Sequence, residues 1–332
     1  MINPLISVIV PIHNGTKWIQ QTLDSLFSQT YPSFEIILIN DASNDNLKQV
    51  LSSVNDNRLH AIHLEKNVGV SAARNFGIRL AKGDFIAFCD ADDVCHPQRF
   101  EKQVNFLLQN TEFDLCGSAF TCFDTEDRIT VNNPVDDLGI KRKLMQGNAF
   151  GLSTVMARSR IFKLHHFNEN LKVSEDYDLW TRLATSGIKF SNLPESLLRY
   201  RWHSTQASRH QSSNLDQVSR RIRSLYCAHL LGDPQLISCL QNEIIKVADL
   251  NRAKQLILHQ NCYESRDFRF MLSWMYQILP CHGLKTWWKW NMIQKTLNLN
   301  LNLNYRFNIF LLSLIPKRKK HLFFDVLIKL KY

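Results

Sequence analysis

Between residues 5 and 93, short apolar runs alternate with amphipathic stretches, and each apolar run stops abruptly at polar turn residues. The first run, 5–12 (LISVIVPI), is β-branched and bounded by Asn14-Gly15, which predicts a buried strand. Ile19, Leu23, Leu26 and Phe27 then recur at helical spacing, with Gln20, Gln21 and Asp24 on the opposite face, until Tyr31-Pro32 ends the helix. A second strand is expected over 34–39, stopping at Asn40-Asp41, followed by a helix over 47–54 and a short strand over 59–64. Helical spacing returns over 70–81 through Ala73, Phe76 and Leu80, with Gly83 as the expected C-cap. The next strand, 85–89, runs into Asp90-Ala91-Asp92-Asp93.

Short apolar strands separated by helices predict an α/β fold whose mostly parallel sheet is covered on both faces. The alternation continues less regularly to about residue 200. Ligands of such sheets bind beyond the carboxyl ends of the strands. Pro11-Ile12-His13-Asn14, Asn40-Asp41 and Asp90-Ala91-Asp92-Asp93 all occupy that position, so three polar loops are expected to face one crevice.

Beyond residue 210 the pattern turns helical, over 217–231, 234–258 and 267–279, and then reaches a strictly alternating LNLNLNLN at 297–304. The charge changes at the same place. Residues 1–210 carry 22 Lys and Arg against 23 Asp and Glu, whereas 211–332 carry 18 against 7. The whole basic excess therefore sits in the last third, and two regions are expected: 1–210, and a basic, mainly helical 211–332. With 45% hydrophobic and 21% charged residues, the 332-residue chain is a folded protein rather than a disordered one. None of the eight cysteines forms a C-x-x-C pair, and they are expected to be free thiols in a reducing compartment. The apolar N-terminus lacks the basic flank and cleavage site of a leader, and no stretch reaches the ~20 apolar residues of a membrane span.

The acidic loop is the first place where chemistry is suggested. Asp90, Asp92 and Asp93 repel one another unless a cation or protons relieve the charge. Carboxylate oxygens facing water suit Mg²⁺ or Mn²⁺ shared with substrate phosphates. Taken alone, the motif fits a polar turn better than a metal site.

Four ordered blocks resolve the ambiguity: SVIVPIHNG (7–15), EIILINDASND (35–45), NVGVSAARNFGIRLAKGDFIAFCDADD (67–93) and SEDYDLWTRL (174–183). Over residues 5–205 the chain resembles the inverting family 2 glycosyltransferases, which have the GT-A fold.

The resemblance implies a role for each matching position. Pro11 and the loop after it, His13 and Asn14, would wall the pocket for the base of a nucleotide-sugar donor. His13 departs from the family, many members of which carry Tyr there, so base stacking at this position is not implied. Asp41 would accept a hydrogen bond from the base, a role compatible with capping the next helix. Arg74 would approach the diphosphate or base, against the plainer alternative of an exposed helical arginine. Asp90 would hold the ribose and touch the metal at most indirectly, and Asp92 would bind the Mn²⁺ or Mg²⁺ that bridges the diphosphate. Asp93 would support it or begin the turn. The Glu175-Asp176 pair would supply the general base, usually at the position of Asp176; a plain helix start after Ser174 is the alternative. His203, in Arg199-Tyr200-Arg201-Trp202-His203, would be a further metal ligand, against a solvated loop histidine. Trp180 is expected in the core or against the acceptor.

The expected reaction is a single inverting displacement, most commonly from a UDP-sugar in this family, onto a glycan or lipid-linked acceptor. Surface polysaccharide synthesis, such as lipopolysaccharide or capsule assembly, fits by association. Trp274, Tyr276, Trp287, Trp288 and Trp290 beside Lys285 and Lys289, then Lys317-Arg318-Lys319-Lys320 between apolar runs, suggest attachment to an anionic membrane surface. The expected location is the cytoplasmic face of the cytoplasmic membrane. A sugar nucleotidyltransferase is the alternative enzyme. A basic nucleic-acid-binding protein is disfavoured, because the basic residues are interleaved with apolar runs and no recognised module appears.

Overall fold

The computed structural model of the chain describes residues 3–124, 126–203, 212–261 and 263–278. They fall into two compact units, one ending at Ile222 and one beginning at Arg223.

The first unit is built on a nine-stranded sheet ordered β3-β2-β1-β4-β8-β6-β9-β5, with β7 paired to β6. Its strands are β1 (Ile6–Ile12), β2 (Phe34–Asn40), β3 (Leu59–His63), β4 (Phe85–Phe88), β5 (Val94–Cys95), β6 (Leu115–Phe123), β7 (Asp127–Val131), β8 (Met156–Arg158) and β9 (Phe190–Arg201). The half containing β3, β2, β1 and β4 is parallel throughout, as the alternating pattern predicts. Beyond β4 the sheet is mixed: β8 is antiparallel to both β4 and β6, while β6 and β9 are parallel. Helices α1 (Thr16–Phe27), α2 (Leu47–Ser52), α3 (Val70–Leu80), α4 (Arg99–Gln109), α5 (Asp137–Leu144) and α6 (Glu175–Thr185) connect the strands.

Every residue of β1 and β2 is buried, so both sheet faces are covered and the runs read as continuously apolar. The polar exceptions are paired. Ser7 Oγ donates to Glu35 at 2.7 Å, Glu35 accepts from the backbone N–H of Lys82, and Gly83 N–H donates to Ser7 Oγ. Gly83 is therefore not the C-cap of α3, which ends at Leu80. A Cβ there would stand 2.6 Å from Ser7 N and 2.7 Å from Leu5 O, so the residue is glycine because two backbones touch. Gly77 lets α3 approach the side chains of the sheet instead, since a Cβ there would meet Ile9 Cγ2 at 2.8 Å.

Helix α7 spans Ser212–Leu230. The second unit contains α8 (Pro234–Gln241), α9 (Val247–Leu258) and α10 (Arg269–Ile278) around Leu236, Leu240, Leu250, Ile257, Phe268 and Met275. The single helix expected over 234–258 is thus two, broken where Glu243 takes a positive φ of 55°. Residues 265–268 form a 3-10 turn ahead of α10. Trp274, one of the expected interfacial aromatics, is instead buried. The remaining tail features, from the Lys285 to Trp290 segment through Lys317–Lys320, lie outside the described residues, as does the alternating run. Among the described residues no helix is long and apolar enough to cross a membrane.

Candidate active site

The three loops that follow β1, β2 and β4 leave the same end of the parallel half-sheet and are stitched to one another. His13 Nδ1 pairs with the carbonyl of Asp41 at 2.7 Å. Asn14, at φ 53°, donates its backbone N–H to Ser43 Oγ and accepts from Asn44 N–H through its side chain. Thr22 Oγ1 of α1 donates to the carbonyl of Ala91 at 2.9 Å, tying the acidic loop to the same cluster. His13 and Asn14 are exposed, whereas Pro11 is buried within β1 opposite Ile39.

Asp41 is almost fully buried, and its two carboxylate oxygens accept from the backbone N–H groups of Val68, at 2.7 Å, and Gly69, at 2.9 Å. It thus holds the turn that opens α3, not the start of the following helix α2. Gly69 has a φ of 88°, which a residue with a Cβ adopts only at a cost.

Arg74 is not an exposed surface residue. It is 3% exposed, and its guanidinium is divided between two acids, Nη2 to Asp90 at 2.8 Å and Nη1 to Glu175 at 2.6 Å. Burial works against its charge, but the two carboxylates outweigh burial and raise its pKa. One side chain therefore brings the acidic loop and the start of α6 together.

Within the acidic loop each residue has a different fixture. The backbone N–H of Asp90 donates to Ser153 Oγ at 2.9 Å. Asp92 Oδ2 lies 2.8 Å from His203 Nε2. Asp93 is fully buried and accepts from the backbone N–H of Arg201, whose Nε donates to the carbonyl of Asp92 at 2.7 Å. Burial first, and repulsion from Asp90 second, raise the pKa of Asp92, with His203 opposing. For Asp93, burial and then its two acidic neighbours push the carboxyl well above the usual range. Arg201 also donates to Gln21 and stacks on Trp18 at 4.1 Å, so β9 and α1 brace the loop from one side.

Helix α6 begins at Glu175, and three acids occupy its first turn, where the N–H groups favour negative charge. Ser174 stands before it at φ 58° with its hydroxyl paired to Ser219 Oγ, so it does not cap the helix. Asp176 is partly exposed. Its Oδ2 accepts from Asn148 Nδ2 at 2.6 Å and its Oδ1 from the Tyr177 N–H. Desolvation, then repulsion from Glu175, pushes its carboxyl up to about 7, against the opposing pull of the Tyr177 N–H, Arg74 and Asn148. Trp180 is fully buried against Phe150, which makes it a core residue.

Asn148, Ser153 and Arg201 are the supports that sequence reasoning missed. Asn148 and Ser153 lie in the connection between α5 and β8, whose residue types carry no periodic signal. Arg201 was visible only as part of a basic-aromatic run.

Residues 7–166 match the model of the family described as Glycosyl transferase family 2. An uncharacterized glycosyltransferase of Haemophilus influenzae is 34% identical over 59% of this chain and 79% of its own length. Another, from Rickettsia felis, is 29% identical over 74% of this chain, which spans only 40% of that longer relative. Among solved structures, Staphylococcus aureus TarS 1-349 in complex with UDP-GlcNAc superposes with a TM-score of 0.58 at 18% identity, covering 97% of this chain and 90% of that one. The mannosyltransferase PcManGT from Pyrobaculum calidifontis, in complex with GDP-Man and Mn²⁺, gives 0.51 at 16% identity, over 98% and 86%. The architecture is that of the GT-A glycosyltransferases, and the sequence match sets the nucleotidyltransferase alternative aside. The chain belongs to glycosyl transferase family 2.

Proposed function

We propose that this glycosyltransferase moves a sugar from a nucleotide-sugar donor, a UDP-sugar first among them, to a glycan or lipid-linked acceptor with inversion at the anomeric carbon. The observation that carries the reading is the Arg74 bridge, which puts the acidic loop beside the helix start that bears Asp176. The complexes of TarS with UDP-GlcNAc and of PcManGT with GDP-Man support a donor of this class.

In this reading His13, Asn14 and Asp41 receive the base, and Asp90 receives the ribose while Arg74 holds it in place. Asp92 and His203 are the residues that would hold a divalent cation. Their side chains already converge, and an imidazole with a carboxylate suits Mn²⁺ better than the all-oxygen surroundings Mg²⁺ prefers. No group of three or more His, Cys, Asp or Glu among the described residues is placed to enclose a metal. When bound, such a cation takes up negative charge on the departing nucleoside diphosphate.

Asp176 acts as general base. The acceptor oxygen forms its bond to the anomeric carbon as the bond to the diphosphate oxygen breaks, and the hydroxyl proton passes to the Asp176 carboxylate. A carboxyl held near 7 is a better proton acceptor than an ordinary one and is still ionised in part at neutral pH. The donor screen that tests this reading measures release of nucleoside diphosphate from UDP-, GDP- and dTDP-sugars with added Mn²⁺. One donor is expected to be turned over by the native chain, and Asp176→Asn to bind it with unchanged affinity without turning it over. Full activity in that variant refutes the assignment.

We further propose a surface-polysaccharide acceptor presented at a membrane, supported by the basic, aromatic tail.

A further inference from the structure

The acidic loop is bracketed by two cysteines that sugar transfer leaves unused. Cys89, just after β4, and Cys95, in β5, are both buried, and their Sγ atoms lie 3.8 Å apart. Arg99, in the first turn of α4, points Nη1 at Cys95 Sγ from 3.2 Å. Its remaining contacts are neutral: the Gln103 amide and the carbonyls of Phe88 and Val155. A buried guanidinium with neutral companions favours a thiolate beside it.

The two thiols are unequal. Cys95 is brought down to about 6, first by its hydrogen bond with Cys89 and then, against burial, by Arg99. Cys89, which also lies 3.5 Å from the Asp90 carbonyl, is pushed well up. A surface cavity of about 410 Å³ between α1, β5 and β9 counts Cys95 among its lining residues, with Ser25, His96, Leu198 and Arg199.

We propose that Cys89 and Cys95 form an oxidisable dithiol, closed to a disulfide by small hydroperoxides that reach Cys95 through this cavity. The Cys95 thiolate attacks one peroxide oxygen; the S–O bond forms, the O–O bond breaks, and the other oxygen leaves as an alcohol, or as water from hydrogen peroxide, with the proton Cys95 had released. The Cys89 sulfur then attacks the Cys95 sulfur; the S–S bond forms, the S–O bond breaks, and the hydroxyl leaves as water with the proton of Cys89. Two thiols are oxidised and one hydroperoxide is reduced. Bonding draws the sulfurs from 3.8 Å to about 2.05 Å and ties off the loop that starts at the very next residue, Asp90. Oxidation is therefore expected to slow sugar transfer.

The test exposes the reduced full-length chain to hydrogen peroxide, alkylates the remaining thiols and maps every cysteine by mass spectrometry. The expected product is a single disulfide joining Cys89 to Cys95, formed before the more accessible Cys122 and Cys239 react and reversed by dithiothreitol. In Cys89→Ser the reaction stops at a sulfenic acid on Cys95, trapped by dimedone; in Cys95→Ser, Cys89 stays reduced. The inference is overturned if Cys89 and Cys95 are both alkylated after peroxide while other cysteines are oxidised, or if either pairs elsewhere. The map of the native chain decides the matter even if a serine variant does not fold.

Discussion

Arg74 Nη1 donates to Glu175 Oε1 across 2.6 Å, joining two residues 101 positions apart in the chain. The same guanidinium holds Asp90, so it is shared between two acids that would otherwise face each other uncompensated. Removing one member of a buried ion pair costs about 3–5 kcal/mol, because the charge left behind stays buried. Arg74→Ala is expected to fall below that range by urea unfolding, because Asp90 stays 32% and Glu175 13% exposed and water can reach both, and to lose donor affinity. Arg74→Lys, whose single ammonium cannot serve both acids in the same fork, should recover only part of either.

The carboxyl of Asp176 gives the reaction a pH dependence whose sign can be worked out. A general base must be ionised, so the rate should fall as pH drops through about 7. Glu175→Gln removes a charge that raises this value and should move the acidic limb of kcat/KM to lower pH. Asn148→Ala removes a donor to the ionised form and should move it to higher pH. Two shifts of opposite direction in pH–rate profiles would separate an electrostatic role from general loss of structure.

Asp92→Ala leaves His203 without its carboxylate partner and removes one of two side chains proposed to hold the cation. Titration calorimetry of the donor with and without Mn²⁺ should show the metal-dependent part of the affinity lost. A residual, metal-independent affinity should remain through Asp41 and its neighbours. A variant whose affinity still responds to Mn²⁺ would remove Asp92 from the role.

Replacing Lys317, Arg318, Lys319 and Lys320 by glutamine should weaken sedimentation with anionic liposomes, each charge contributing about 1 kcal/mol near such a surface. Binding to neutral liposomes should be unaffected. Equal binding by the native and substituted chains would exclude an electrostatic attachment by this segment.

The parallel half of the fold was legible because β1, β2 and β4 are buried on both faces and end at turn-forming residues, two features visible in a one-dimensional string. What could not be read was whatever depended on a distant partner. Helical periodicity places Arg74 on a face of α3, but only Asp90 and Glu175 explain why a charged side chain is buried there. Gly83 looked like a helix terminator because its local context allows it, while the backbone that excludes a Cβ belongs to residues 5–7. The break between α8 and α9 falls at Glu243, with neither glycine nor proline to announce it. Of the acidic positions, the loop stood out as a cluster of carboxylates, while its role and that of Asp176 were legible only through the resemblance to family 2 glycosyltransferases. Asn148 did not stand out, since a loop asparagine 28 residues away has no pattern to belong to.

Gly77 lies one helical turn beyond Arg74, on the side of α3 that touches Ile9. A methyl added there would come within 2.8 Å of Ile9 Cγ2, so either the Ile9 side chain or the turn that carries Arg74 would have to give way. A position with no functional group of its own thus acts as a spacer beneath the arginine.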